Sequence, residues 1–278
     1  MPRSDLTLIA NVALDRVNRG PWTCGGCPTF APYAFARLRA RGVINAACAD
    51  QDLARFCALE TTGGSVSFHF KPAATTTRFD LNYSGEFGDT RSMVLHTIGH
   101  TWSPEDIDGL EIESEWVHLA PLVRSDFPVA TVARLAARGH RVGYDGQGLV
   151  RVPQIGELTV DARYDPELLR HLTVLKLSED ETSVVASEHE RERALQTLSD
   201  IPELLLTHGS RGAEIRAGGT LSHVEPDQVV ADVQTTGAGD VFMIAYLIGR
   251  ARDLVPTAAA TVGAKVAAAM LAERKAGL

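Results

Sequence analysis

A chain of 278 residues, 45% of them hydrophobic and 22% charged, is long enough to bury a full core as one large α/β domain or two small ones. A formal net charge of −8 excludes a sequence-independent grip on nucleic acid or an anionic membrane, since such binding needs a basic face, and leaves a small molecule as the expected partner. The sequence has neither an apolar run of membrane-span length nor the longer apolar region and cleavage site of a signal peptide, and four cysteines suit a reducing compartment, so the cytoplasm is expected.

Leu6 to Ala13 reads as a buried strand, with Asp15 just past its end, where a parallel sheet presents functional groups. Cys24-Gly-Gly-Cys27 has the spacing of half a zinc site. Cys48 and Cys57 stand nine apart, and His96, His100 and His118 are scattered, so the other half is missing and the two cysteines read as small apolar residues beside the glycines. Pro32 to Arg41 has helical spacing and stops at Gly42; Val43 to Ala49 is the next strand, a βαβ start. Between 61 and 98 the pattern changes. Ser65 to Phe70 alternates, Thr75 to Tyr83 is polar and β-prone, and Arg91 to Ile98 alternates again, which predicts antiparallel strands outside the main sheet, a small lid built from about 12–24 and 61–98.

From Ser103-Pro-Glu-Asp106, with Ser as N-cap and Pro at N1, the βα rhythm returns. Strands are predicted at Trp116 to Pro121, Arg141 to Tyr144, Val174 to Leu177 and Glu203 to Thr207, and helices at Phe127 to Arg138, Glu188 to Leu198 and the Ala-rich Thr257 to Ala272. The alternation predicts one α/β domain over 1–278, a central mostly parallel sheet flanked by helices. No internal repeat or linker divides it.

The stretch Gln234-Thr-Thr-Gly-Ala-Gly-Asp240 opens the apolar run Val241 to Leu247. Its glycines would form a turn whose backbone N–H groups meet at a helix N-terminus and hold an anion, and side chains larger than Ala would block the approach. A phosphate is the natural anion, and Asp240 could accept the proton of a hydroxyl attacking it. The bland alternative is an Asp that only caps the helix. A dinucleotide fingerprint is disfavoured because Phe242 takes the place of its third glycine, and a P-loop is excluded because no Gly-Lys-Ser/Thr follows.

These residues resemble the PfkB or ribokinase-like carbohydrate kinases, whose signature is Asp-Thr-x-Gly-Ala-Gly-Asp ahead of an apolar helix; six of the seven positions match. The resemblance implies a ribokinase-like fold and transfer of a phosphoryl group from ATP, with Mg²⁺, to a hydroxyl of a sugar or polyol. It makes Gly237, Ala238 and Gly239 the anion hole and Asp240 the catalytic base. Asp15 and the pair Gly25-Gly26 match substrate-binding positions. Leu175-Lys-Leu-Ser-Glu-Asp-Glu181 is similar to a Lys-x-Asn-x-x-Glu segment, which puts Lys176 near the nucleotide and Glu181 near Mg²⁺ through water. Leu206-Thr-His-Gly-Ser-Arg-Gly212 is similar to a nucleotide-binding strand and turn, which adds Thr207, Gly209 and Gly212 to Thr236.

Val117-His-Leu-Ala-Pro-Leu122, Asp145-Gly-Gln-Gly-Leu-Val-Arg151 and the lid segment Thr75 to Tyr83 resemble a short subgroup that includes inositol kinases, which implies myo-inositol as substrate and Arg151 as a substrate contact. Three positions depart from the family pattern. Gln234 replaces the Asp through which many members bind an activating monovalent cation, so K⁺ dependence does not follow. Phe30 replaces a substrate-binding Asn, which argues against ribose or fructose bound in the usual way, and Ser178 replaces the Asn of the Mg²⁺ segment. The alternatives are a kinase for another sugar or a nucleoside, or a non-catalytic sensor of the same fold. Residue by residue, Asp15 could be a turn residue, Arg151 a surface ion pair and Glu181 part of a solvated acidic cluster. The lid either closes over the site or pairs with the lid of a second copy in a homodimer.

Overall fold

The computed structural model describes residues 4–57, 59, 66–84, 90–186 and 198–277. Strand β1, Leu6–Asn11, is the hub. Its alternating side chains serve both faces of the sheet: Leu6, Leu8 and Ala10 join one hydrophobic cluster and Ile9 the other. β1 pairs in parallel with β4 (Gly42–Ala49) on one side and with β8 (Trp116–Ala120) on the other. Beyond β4 lies β5 (Val66–Ala73); beyond β8 lie β9 (Arg141–Asp145), β11 (Val174–Ser178) and β12 (Glu203–Thr207), all parallel. The antiparallel hairpin β13 (Ala213–Ala217) and β14 (Thr220–Val224) completes nine strands in the order β14-β13-β12-β11-β9-β8-β1-β4-β5.

A second sheet, in the order β10-β7-β6-β2-β3, uses β2 (Ala13–Val17), β3 (Trp22–Gly25), β6 (Thr77–Ser84), β7 (Thr90–Thr97) and β10 (Gly156–Glu157). Three details of the strands differ from the sequence reading. The first strand ends at Asn11 and the chain turns at Val12 into β2, so Asp15 lies inside a strand of the small sheet rather than just past β1. β5, whose alternation suggested the lid, is the edge of the main sheet, where one face stays wet. The lid is mixed, since β2 and β6 run parallel while its other pairs are antiparallel. Residues 61–65 and 85–89 of the expected lid lie outside the described residues, as does most of the helix expected at Glu188 to Leu198.

The helices are α1 (Cys27–Leu38), the short α2 (Leu53–Phe56) and α3 (Pro104–Asp108), α4 (Val129–Ala137), the short α5 (Gln147–Val150), α6 (Glu179–Val185), α7 (Ala238–Ala251) and α8 (Pro256–Lys275). α1 starts five residues before the predicted Pro32 because Gly26, at φ 78°, turns the chain and a proline stands in the first turn. α3 has the predicted cap: the Ser103 side chain accepts from Asp106 N–H, and the Asp106 carboxylate accepts from Ser103 N–H. α7 is apolar all round because it is buried, Val241 through Gly249 without a gap, against α1 and α8. α8 comes close because its facing residue is Gly263; a Cβ there would lie 2.9 Å from the Phe242 carbonyl. This packing fixes the α7 N-terminus at the carboxyl ends of the parallel strands, where such sheets bind ligands. No described helix is long and apolar enough to cross a membrane.

Candidate active site

The Thr235 carbonyl accepts from Ala238 N–H at 3.0 Å, closing a turn in which Gly237 has φ 85° and ψ −8°. That is the third position of a type II turn, which favours glycine. Space makes the same demand, since a Cβ on Gly237 would lie 2.4 Å from the Phe30 ring. A side chain at Gly237 is thus excluded twice; Ala238 N–H is spent closing the turn, which leaves the N–H groups of Gly237 and Gly239, rather than all three of 237–239, at the start of α7 with Asp240 in its first turn.

Beneath this turn lies buried charge. Lys176, near the end of β11, donates to the Gly239 carbonyl at 3.2 Å and stands 2.7 Å from Asp145 Oδ1 at the end of β9. The other Asp145 oxygen is 3.3 Å from His118 Nε2, and His118 Nδ1 faces the Gly143 carbonyl at 3.3 Å. Asp145 and His118 are almost fully out of solvent. Burial opposes the charge on Asp145, but Lys176 and His118 overcome it and hold the carboxyl below its usual range. Burial likewise opposes the Lys176 ammonium, and Asp145, Asp240 and Glu181 raise its pKa nonetheless. The half-buried Asp240 carboxyl is pushed up to about 6 by desolvation and by the Asp145 charge, against Lys176, His118 and Arg151. The buried Cys27 thiol bonds to Asp240 and is driven well above its normal range by burial and by that charge.

The Asp15 carboxylate lies over Gly25: a Cβ there would fall 2.1 Å from Asp15 Oδ2. Gly26, the N-cap of α1, packs against the backbone of Asn11 and Ala13. Arg151, at the end of α5, donates to the Leu122 carbonyl at 3.4 Å, and its charge is felt by both Asp126 and Asp240. Asp126 is fully buried; desolvation raises its carboxyl to about 7 although it accepts from Leu122 N–H at 2.7 Å.

Thr207, Gly209 and Gly212 line a cleft on the outer side of the turn, closed by Val229, Val230, Phe242, Ala264, Ala267 and Leu271. No charged residue is among its lining residues, and Val229 is largely exposed at its rim. Thr236 presents its carbonyl to Arg274 rather than lining the cleft, and Lys176 lies beneath the turn at the Gly239 carbonyl, outside the residues that line the cleft. Glu181 closes a capping box: its carboxylate accepts from Ser178 N–H at 2.8 Å and the Ser178 hydroxyl accepts from Glu181 N–H at 3.3 Å. Ser178 therefore performs the local task of an N-cap, and Glu181 still reaches the surroundings of Lys176.

The sequence reading left Asp145 and His118 without roles. Both stand in segments that carry the subgroup resemblance, but their pairing left no signal, because they are 27 residues apart in the chain. Among the described residues no three His, Cys, Asp or Glu converge as metal ligands. The described residues make no protein-only metal cage; they would suit a Mg²⁺ that keeps most of its waters, with Glu181 a contact through water.

The family model described as pfkB family carbohydrate kinase matches residues 112–278. A fructokinase of Klebsiella pneumoniae is 27% identical over 250 residues, 84% of this chain and 78% of that protein, and one of Vibrio alginolyticus is 26% identical over 231 residues, 79% and 74%. A solved pyrophosphate-dependent kinase in the ribokinase family, complexed with a pyrophosphate analog and myo-inositol, aligns over 96% of this chain and 95% of its own with a TM-score of 0.81 at 21% identity. A ribokinase of Thermotoga maritima aligns over 96% and 92% with a TM-score of 0.68 at 17% identity, and both likenesses show the ribokinase-like fold. With the Gly237 turn, Asp240 in the first turn of α7 and a family match over more than half its length, the chain belongs to the pfkB family of carbohydrate kinases.

Proposed function

We propose that this phosphotransferase moves the γ-phosphoryl group of ATP to a hydroxyl of a cyclic polyol, with myo-inositol the first candidate. The observation that carries the reading is the joint placement of the Gly237 turn, Lys176 and Asp240 at one helix N-terminus beside an apolar cleft. The N–H groups of Gly237 and Gly239 and the Lys176 ammonium would stabilise charge on the transferring group, and Asp240 would accept the hydroxyl proton as the new O–P bond forms and the bond to the leaving ADP oxygen breaks. A base pushed up to about 6 is ionised at neutral pH yet still basic enough to take a proton. When bound, Mg²⁺ would neutralise phosphate oxygens.

The cleft supports ATP as donor. Apolar walls and the absence of charged lining residues suit a planar base and offer a second phosphate nothing to pair with. Pyrophosphate is the competing donor, favoured by the likeness to pyrophosphate-dependent kinases. On the acceptor side, Asp15 would orient substrate hydroxyls, and Phe30, which the family resemblance aligns with a substrate-binding Asn, would offer a ring in place of an amide.

Product formation from Mg-ATP and from Mg-pyrophosphate, measured across myo-inositol, its isomers, fructose, ribose and nucleosides, tests the reading. Selective turnover of an inositol with ATP is expected. Turnover of fructose alone would move the substrate, turnover with pyrophosphate alone would move the donor, and binding without turnover of any pair would favour a sensor.

A further inference from the structure

The last turn of α8 reaches into the segment that precedes the anion turn. Arg274 Nη1 donates to the Gln234 carbonyl and, at 2.9 Å, to the Thr236 carbonyl; Lys275 Nζ donates to the Ala231 carbonyl at 2.9 Å. Arg274 is half-buried, its other Nη lies 3.9 Å from Met270 Sδ, and desolvation lowers its pKa from the usual arginine value. The neighbouring Glu273 ties the same turn to Arg37 of α1 at 3.6 Å.

Two carbonyl oxygens from alternate residues that converge on one point make a place for a cation. Here a guanidinium fills it, and residue 234 is a glutamine with no carboxylate to complete a metal shell. The residues present therefore do not fit the activating monovalent metal that many members of the family bind. The geometry also says what the guanidinium does. In a trans peptide the C=O and the following N–H point in opposite directions. Holding the Thr236 carbonyl toward Arg274 turns the Gly237 N–H the other way, toward the anion, and holding the Gln234 carbonyl fixes the Thr235 peptide in the same manner.

We infer that Arg274 is a built-in cation that orients the anion turn, so that donor binding and turnover need no monovalent metal ion. Arg274 is a positioning residue, acting through the peptide planes of 234–237 rather than on substrate. The inference rests on the turn at Gly237–Gly239 being the anion site.

The test measures affinity for the ATP analogue AMP-PNP with Mg²⁺ by calorimetry, and ADP release with the acceptor found in the panel above. Both are run in K⁺ and in tetramethylammonium at constant ionic strength, for the wild type, Arg274→Lys, Arg274→Gln and Gly237→Ala. The wild type and Arg274→Lys should change less than about two-fold when K⁺ is withdrawn, whereas Arg274→Gln should lose about 10-fold to 100-fold in affinity and in kcat/KM for ATP, as expected for a lost charge-assisted hydrogen bond. Free guanidinium at non-denaturing concentration should restore part of the Arg274→Gln loss, which a purely structural role would not allow. Several-fold activation of the wild type by K⁺ would overturn the inference, as would equal losses in Arg274→Lys and Arg274→Gln without recovery by guanidinium. If Gly237→Ala and Arg274→Gln both bind AMP-PNP as the wild type does, the anion-turn reading itself has failed. If only Gly237→Ala loses binding, the fault lies with Arg274's role alone.

Discussion

The Lys176 ammonium stands 2.7 Å from Asp145, and both side chains are nearly out of solvent. Their pairing leaves Lys176 beside the Gly239 carbonyl, next to Asp240. Removing one partner strands a buried charge, which costs far more than a surface pair would. Asp145→Ala should therefore destabilise the fold by about 3–5 kcal/mol, and the double variant Asp145→Ala with Lys176→Met should be more stable than the single one. Urea midpoints at neutral pH check this; a single variant as stable as the wild type would mean that the pair is not tight in solution.

The proposed role of Asp240 as base sets a pH dependence. A base must be ionised, and this carboxyl is pushed up to about 6 by desolvation and Asp145. As pH falls through that value the base is lost, so kcat/KM should drop about 10-fold per unit below pH 6 and level off above it. The residual activity of Asp240→Asn should lack this limb. A wild-type profile flat down to pH 4.5 would separate Asp240 from proton transfer.

Asp126 gives a stability prediction of its own. Burial raises its folded carboxyl to about 7, above the ordinary value of 3.8, so the folded state prefers the protonated form. Its contribution is full below about pH 4 and is lost as pH rises through about 7. Wild-type Tm should fall between pH 5 and 8 relative to Asp126→Asn, which stays neutral throughout. Parallel Tm curves for the two proteins would show that Asp126 does not titrate there.

Gly237→Ala meets two obstacles, a positive φ and the Phe30 ring 2.4 Å from the new Cβ. A stability loss of about 1–3 kcal/mol is expected from the strained conformation alone. Adding Phe30→Ala should recover only the part due to the clash. Donor KM should rise with it, because the N–H groups of the turn would be re-aimed.

The cleft can be filled without touching the chemistry. Ala267 is half-buried in α8, and Ala267→Phe would occupy the space assigned to the base. KM for ATP should rise by about 10-fold or more with a smaller change in kcat, the mark of lost uniform binding. An unchanged KM would place the nucleotide elsewhere or favour pyrophosphate as donor.

How much of this was legible in the sequence depends on distance along the chain. The Gly237 turn and Asp240 were readable because turn, cap and helix are neighbours, and the Ser103 cap was readable for the same reason. Gly26 and Pro28 carried a local signal for the start of α1 that helical spacing from Pro32 obscured. β5 misled because an edge strand alternates as a lid strand does, and only its pairing with β4 tells them apart. His118, Asp145 and Lys176 meet only because β8, β9 and β11 are adjacent in the sheet, and Arg274 meets Gln234 only because α8 returns alongside α7. Those contacts belong to the tertiary fold.

The most direct measurement is the turnover of Asp240→Asn with Mg-ATP and the preferred acceptor, alongside its Tm and its affinity for AMP-PNP. A base removed from an intact site should leave melting and analogue binding close to the wild type while kcat falls by about 100-fold to 10,000-fold. A kcat within a few-fold of the wild type, with the fold intact, would contradict the role of Asp240 as the base.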